Sequence, residues 1–387
     1  MGRPNWRAHR VPLRGPDARA TSAAMGRFSL TALGALARKE LAALLTIRPS
    51  DRPWQLPFAA AVASGAPVAL GALLGLPTEG ALGAVAGLSF LYLPSTRLNH
   101  RIPVIMASAF AMVVSYALGL ASHWAPGTAI GLIALVAVGA ALFCRFQNVA
   151  PPGPIFMVMA ASIGAFAPAG SAGLMANLGY FVVGCIWACA IAVLYSIYIL
   201  RHRSPLPVRA PSARDRQAAV VDALIMGLFV AASLAVAKTI ELERAYWVPV
   251  SCLAIMQGVT MRASWSRNVH RIVGTAIGIA LTWLLYPLVN GVWAVAIAVT
   301  VLTFLIETAV VRHYALAAIF ITPLTIVLAE STSPGTASVD VLMQARLIDT
   351  AIGALIGLAG ASVLHSRRVR RTVQARVIPG RADASAE

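Results

Sequence analysis

The chain has 387 residues, of which 59% are hydrophobic and 12% charged, and its mean hydropathy is +0.77. Soluble domains carry charge on about a quarter of their residues, so this composition excludes a soluble globular protein. The net charge of +17 alone would fit a nucleic-acid binder, but the placement of the basic residues, set out below, argues against that partner.

Residues 1–53 are rich in arginine and hold three acids, Asp17, Glu40 and Asp51. Arg3, Arg7, Arg10, Arg14 and Arg19 stand among Pro, Gly and Ala, which predicts a basic cytoplasmic tail. An acid-poor, Arg-rich start is also the composition of a transit peptide, and Met25 is an alternative initiation point. Leu30, Leu33, Leu41 and Leu44 suggest an amphipathic helix over 28–45 lying at the membrane interface. No secretory signal peptide is expected before the first span.

A helix needs about 20 apolar residues to cross a hydrocarbon core of about 30 Å. Twelve apolar runs approach that length, whereas a β-barrel would show short alternating segments. In the first half they cover 56–76, 80–93, 102–122, 128–144, 154–168 and 174–200. In the second they cover 218–238, 246–261, 272–287, 292–310, 314–329 and 347–365. The runs at 80–93 and 154–168 are short, which keeps ten or eleven spans open. With the amino terminus inside, 28 of the 31 Lys and Arg fall in the two tails and the inner connections, leaving Lys238, Arg244 and Arg346 outside. This is the positive-inside pattern. It favours twelve spans with both termini cytoplasmic and accounts for the charge without nucleic acid.

Within this order one signature recurs. Thr96-Arg97-Leu98-Asn99-His100-Arg101-Ile102 returns 170 residues later as Ser266-Arg267-Asn268-Val269-His270-Arg271-Ile272, and the same offset carries Tyr116 onto Tyr286. A fixed-period echo marks a duplicated unit. The expected fold is therefore an all-α polytopic membrane protein of two parallel six-helix repeats, 54–200 and 218–366. They are joined by a cytoplasmic linker at 201–217 and followed by a basic cytoplasmic tail at 367–387. The only lysines, Lys39 and Lys238, do not follow glycine, so a Walker A motif is excluded.

A second echo lies inside the second half. Arg271-Ile-Val-Gly274-Thr275-Ala-Ile-Gly278 and Arg346-Leu-Ile-Asp349-Thr350-Ala-Ile-Gly353 share Arg, Thr, Ala, Ile and Gly in register. By the charge-derived topology the first enters the membrane from inside and the second from outside, as in a three-plus-three inverted repeat. Each arginine is expected at a helix start, where free N–H groups already favour an anion and a guanidinium adds paired donors. The bland alternatives are a topology anchor for Arg97, Arg101 and Arg267, and for Arg346 an internal pair with Asp349 three residues on.

Intramembrane acids are costly and mark function, which makes Asp349, Glu307 and Asp222 the proton-coupling candidates. Gly71/Gly75, Gly274/Gly278 and Gly353/Gly357 read chiefly as faces for close helix packing. Cys144, Cys185, Cys189 and Cys252 lack CxxC or Cys/His metal spacing and read as buried free thiols. HExxH and GxSxG motifs are missing, so no enzyme, metal or cofactor is expected.

Tyr246-Trp247-Val-Pro249, Gln257, Arg267 and then Arg271-Ile-Val-Gly274-Thr275-Ala-Ile-Gly278 resemble the fusaric acid resistance-like, aromatic acid exporter family of integral membrane transporters. Arg48-Pro-Ser-Asp-Arg-Pro53 before the first span is also similar to its members, so the resemblance covers about 48–365. It implies a multi-pass protein of the bacterial inner membrane that exports aromatic or other organic acids, driven by the proton gradient. Plant malate-conducting anion channels resemble the family distantly, which keeps a passive anion channel open. The first half departs from the pattern, with Ile102-Pro103 and no Tyr-Trp pair, and none of the group's large cytoplasmic domains is expected within these residues.

The expectation is thus an efflux permease for small organic, chiefly aromatic, acids, with an anion channel or a non-transporting scaffold as alternatives. Arg271 and Arg346 would guide the anion, Tyr246 and Trp247 would stack on a ring, and Thr275 and Thr350 would line the same site. Partners beyond lipid and substrate would be a periplasmic adaptor or further copies of the chain.

Overall fold

The computed structural model describes residues 38, 41, 42, 46, 47, 49–125, 127–149, 151–168, 171–208, 213–332 and 338–366. The chain divides into two compact units, Met1–Thr46 and Ile47–Glu387. In the first, Arg38, Leu41 and Ala42 are helical and the Thr46 hydroxyl donates to the Ala42 carbonyl at 2.6 Å. The rest of the expected interfacial helix lies outside the described residues, as does the tail at 367–387.

In the second unit the described residues form twelve α-helices. These are α1 Gln55–Leu74, α2 Pro77–Gly87, α3 Leu98–Ala121, α4 Ala129–Phe146, α5 Ile155–Ala165 and α6 Ser171–Leu200, followed by α7 Ala213–Thr239, α8 Trp247–Met256, α9 Met261–Leu285, α10 Val292–Ala309, α11 Tyr314–Thr332 and α12 Val339–His365. No strand occurs among the described residues. Eight of the helices are long and apolar enough to cross a membrane. By contrast α2, α5 and α8, with 11, 11 and 10 residues, rise only about 15–17 Å each, roughly half of a hydrocarbon core. The expected number of about twelve helices is thus met among the described residues, while eight of them have spanning length. A hydropathy window runs on through flanking turns, such as residues 257–260 after α8, and so lengthens a short helix.

Helix starts differ from expectation for a related reason. Hydropathy registers where an apolar run begins, whereas the hydrogen-bond ladder begins at a cap. The Thr260 hydroxyl accepts from the Ala263 amide at 3.1 Å and opens α9, and the Ser338 hydroxyl accepts from Val341 at 3.4 Å and opens α12. Arg271 and Arg346 therefore lie two turns or more inside their helices. The end charge of a helix fades within its first turn, so the helix-start account of both arginines is withdrawn.

Gly75 takes another role than the packing face expected of it. It caps α1 in the left-handed region, φ 72°, which glycine adopts without a Cβ penalty. The Leu76 amide then donates to the Gly71 carbonyl at 2.7 Å, and α2 starts at once on Pro77 and returns along α1.

The helices pack in a paired scheme. Helix α1 lies against α10 and α7 against α4; α2 packs on α6 and α8 on α12; α3 packs on α5 and α6, and α9 on α11 and α12. Large apolar side chains, among them Phe110, Val183, Leu228, Trp283, Ile297 and Leu355, are exposed, whereas Ser108, Ser162, Ser233, Ser251, Arg346 and Asp349 are buried. An outer surface of this kind is unfavourable in water and matches hydrocarbon, with the polar groups turned towards the bundle interior.

Candidate functional site

The site is built where α8, α9, α11 and α12 meet. Helices α8 and α12 run parallel: Gly353 faces Val248 and Ser251, Gly357 faces Cys252 and Gly360 faces Met256. The approach is close because a Cβ at Gly353 would lie 2.5 Å from the Val248 carbonyl oxygen and 2.6 Å from the Ser251 Cβ. This packing fixes Arg346, two turns before Gly353, beside the start of α8. There its guanidinium lies 4.7 Å from the centroid of the Trp247 ring, within cation–π range.

Arg271 approaches from α9. Its Nη2 donates to the Ser251 hydroxyl at 3.0 Å and its Nη1 to the Tyr314 hydroxyl, at the start of α11, at 3.2 Å. Arg267, one turn earlier, stands over the Tyr314 ring at 5.5 Å and donates to the Ala254 carbonyl at 3.4 Å. The two arginines expected at opposite membrane faces are thus brought together, close enough for their charges to act on one another, with Asp349, Tyr246 and Tyr314 in the same field. Both are buried, Arg271 at 4% and Arg346 at 2% exposure.

The charges are incompletely satisfied. Arg271 Nε, Arg346 Nε and Nη1, both carboxylate oxygens of Asp349 and the Thr350 hydroxyl are buried without a hydrogen-bond partner. The Arg346–Asp349 pair suggested by their spacing is therefore not made as a hydrogen bond; Arg346 is drawn to the Trp247 face instead. Two cations against one carboxylate leave one positive charge in excess inside the bundle, a state that costs several kcal/mol unless an anion completes it.

Polar residues extend this site along α9. Ser264, Asn268, Arg271, Thr275 and Thr282 are all buried and recur at helical spacing on one stripe. The Ser264 hydroxyl and Asn268 Oδ1 have no hydrogen-bond partner. The eighteen residue steps of helix from Ser264 to Thr282 cover about 27 Å, nearly the thickness of a bilayer core.

On the other side of Trp247 the first half of the chain contributes. Tyr246 meets Trp247 edge-on at 5.3 Å and Phe166 at 5.9 Å, and Lys238 lies 5.5 Å from the Phe166 centroid. A run of three aromatic rings, Phe166, Tyr246 and Trp247, with a cation at each end, Lys238 and Arg346, leads from the end of α7 to the buried pair. Phe166, Ser251 and Tyr314 were not among the expected site residues. Ser251 was visible as the lone hydroxyl in Trp247–Met256, whereas Phe166 and Tyr314 carry no local signal.

The other two acids lie elsewhere. Glu307 on α10 pairs with Arg52 at 3.1 Å, and Arg52 also donates to the Glu307 carbonyl at 3.1 Å. Asp222, half-buried on α7, adjoins Val221, which packs with Leu364 near the end of α12, about 20 Å along that helix from Asp349. Among the described residues no group of three His, Cys, Asp or Glu is placed to hold a metal ion.

Comparison with known proteins gives the site a family context. Residues 228–360 match the family described as fusaric acid resistance protein-like. This segment contains every residue of the α8, α9, α11 and α12 cluster, and it bears out the resemblance carried by Tyr246 to Gly278. The chain is also 34% identical over 176 residues to an uncharacterized membrane protein, YvaC, of Bacillus subtilis (strain 168). That alignment covers 44% of this chain and 26% of the relative, so the chain spans well under two thirds of the relative's length. No solved structure matches the chain. Composition, exterior and relatives agree on a multi-pass membrane protein.

Proposed function

We propose that this chain, fusaric acid resistance-like over residues 228–360, is a permease that carries small organic acids, chiefly aromatic carboxylates, outward across a bacterial inner membrane. The observation that carries this reading is the convergence of Arg271 and Arg346, both buried and both with guanidinium nitrogens lacking an acceptor. A substrate carboxylate matches the fork of a guanidinium, and an aromatic ring beside it would stack on Trp247 and Tyr246. The polar stripe of α9 is the path, and Thr275 and Thr350 flank the anion.

Alternating access would use the internal symmetry. We infer two parallel six-helix repeats, α1–α6 and α7–α12, with both termini cytoplasmic. The paired packing supports this: α1 on α10 corresponds to α4 on α7, and α3 on α5 corresponds to α9 on α11. Such repeats provide two equivalent bundles that can rock about a central site.

Proteoliposomes with and without an imposed pH gradient test the reading, using benzoate flux as the measurement. Gradient-driven benzoate movement that Arg346→Gln abolishes supports the permease. Flux indifferent to the gradient supports a passive anion channel instead, a reading favoured by the polar stripe running from Ser264 to Thr282. Absence of flux for every organic anion overturns both.

A further inference from the structure

A second basic cluster lies where α1 and α3 begin and α6 ends. Arg101, in the first turn of α3, is only 5% exposed. Its Nε donates to the Thr96 carbonyl at 2.6 Å, and its two terminal nitrogens have no hydrogen-bond acceptor among the described residues. Tyr195, buried on α6, packs edge-on to Phe90 at 5.8 Å. Its hydroxyl stands in the field of three arginines, Arg101, Arg52 and Arg203, and makes no hydrogen bond among the described residues.

The chain around this hydroxyl is pinned. Arg203 Nη1 donates to the Asp51 carbonyl at 2.7 Å, Leu206 donates to the Ser95 carbonyl at 2.9 Å, and Arg52 is tied to Glu307. Arg52 thus has a carboxylate, whereas among the described residues Arg101 and Arg203 have none within ion-pair distance. An arginine that only sets topology snorkels outward to water and headgroups. Arg101 is instead largely covered by the protein, and a partly desolvated guanidinium with open donors is costly unless an anion fills them. Beyond Arg52, at the start of α1, Trp54 and Phe58 meet edge-on at 6.1 Å and are 64% and 54% exposed, an aromatic surface suited to the lipid interface.

We propose that Arg101, Arg203 and the Tyr195 hydroxyl form a binding site for a phosphate group, carried by an anionic phospholipid or free in solution. Guanidinium forks donate in pairs to phosphate oxygens, and basic recesses between helices at the cytoplasmic side suit anionic headgroups. The site is separate from the Arg271–Arg346 pair and does not depend on the transport reading.

The test uses the full chain in a neutral maltoside detergent, titrated with phosphatidylglycerol, phosphatidylcholine or inorganic phosphate. Bound lipid is counted by native mass spectrometry, and Tm is followed in parallel. Phosphatidylglycerol is expected to bind and raise Tm while phosphatidylcholine does neither. Arg101→Gln and Arg203→Gln are each expected to weaken phosphatidylglycerol at least tenfold, and Arg145→Gln to leave it unchanged. Should Arg101→Gln not fold, Arg203→Gln, on an exposed side chain, carries the test. Inorganic phosphate that binds with the same dependence on Arg203 assigns the site to the free ion, and phosphate without effect assigns it to the lipid headgroup. Equal binding of the two phospholipids, or wild-type phosphatidylglycerol affinity in the folded arginine variants, overturns the proposal.

Discussion

Arg346 and Asp349 are three residues apart on α12, yet the guanidinium faces the Trp247 ring at 4.7 Å and both oxygens of the carboxylate remain without a hydrogen bond. A pair so close in sequence but unjoined in space leaves each charge available to something else. By its chemistry Arg346 is able to take a carboxylate, and Asp349 a proton.

Removing the guanidinium is expected to remove anion binding. Arg346→Gln should lower benzoate flux in proteoliposomes at least tenfold, equivalent to about 1.4 kcal/mol. Arg346→Lys should recover only part of it, because an ammonium keeps the charge but loses the planar fork and the stacking on Trp247. Full activity of Arg346→Gln would remove this residue from the site.

Trp247 is expected to discriminate among substrates. Cation–π and ring stacking contribute about 0.5–2 kcal/mol, so Trp247→Leu should raise KM for benzoate about twofold to thirtyfold while changing acetate little. The measurement is flux against concentration for both anions, and an equal loss for both would show that the ring serves packing alone.

Asp349 is expected to couple transport to protons. Asp349→Asn keeps the shape and removes the titration, so its benzoate flux should be the same with and without a pH gradient, whereas wild-type flux is expected to rise with the gradient. Glu307→Gln should retain the gradient response, because Glu307 serves the ion pair with Arg52. A gradient response surviving in Asp349→Asn would move the coupling elsewhere.

The Arg52–Glu307 pair ties residues 255 positions apart. Breaking a buried pair strands the less solvated partner, at a cost of about 3 kcal/mol. The Glu307 side chain is the more buried of the two, so Arg52→Ala should lower Tm more than Glu307→Gln. Equal Tm values for wild type and both variants would show that the pair contributes nothing measurable.

Close packing of α8 on α12 rests on Gly353. A Cβ there meets the Val248 carbonyl oxygen and the Ser251 Cβ, so Gly353→Val should destabilise by about 1–3 kcal/mol through overpacking. It should also displace Ser251 from Arg271 and reduce flux even where the protein folds. Unchanged Tm and unchanged flux together would contradict the contact.

The sequence by itself determined the membrane class, the helical content and the residue types of the site. Those properties are local: a run of apolar residues partitions into hydrocarbon whatever surrounds it, and an arginine within such a run stands out against its neighbours. It also marked Arg271 and Arg346 as related, through their shared register with Thr, Ala, Ile and Gly. Where each helix begins was less legible, since Thr260 and Ser338 set the hydrogen-bond ladder well before the apolar runs start. Only the tertiary structure decided that the two arginines meet, that Arg346 turns to Trp247 rather than Asp349, that Glu307 belongs to Arg52, and that Phe166 and Tyr314 join the cluster. Each of those facts depends on which helix faces which, and that is fixed by side-chain packing across the bundle, such as Gly353 against Ser251, rather than by any property of one segment.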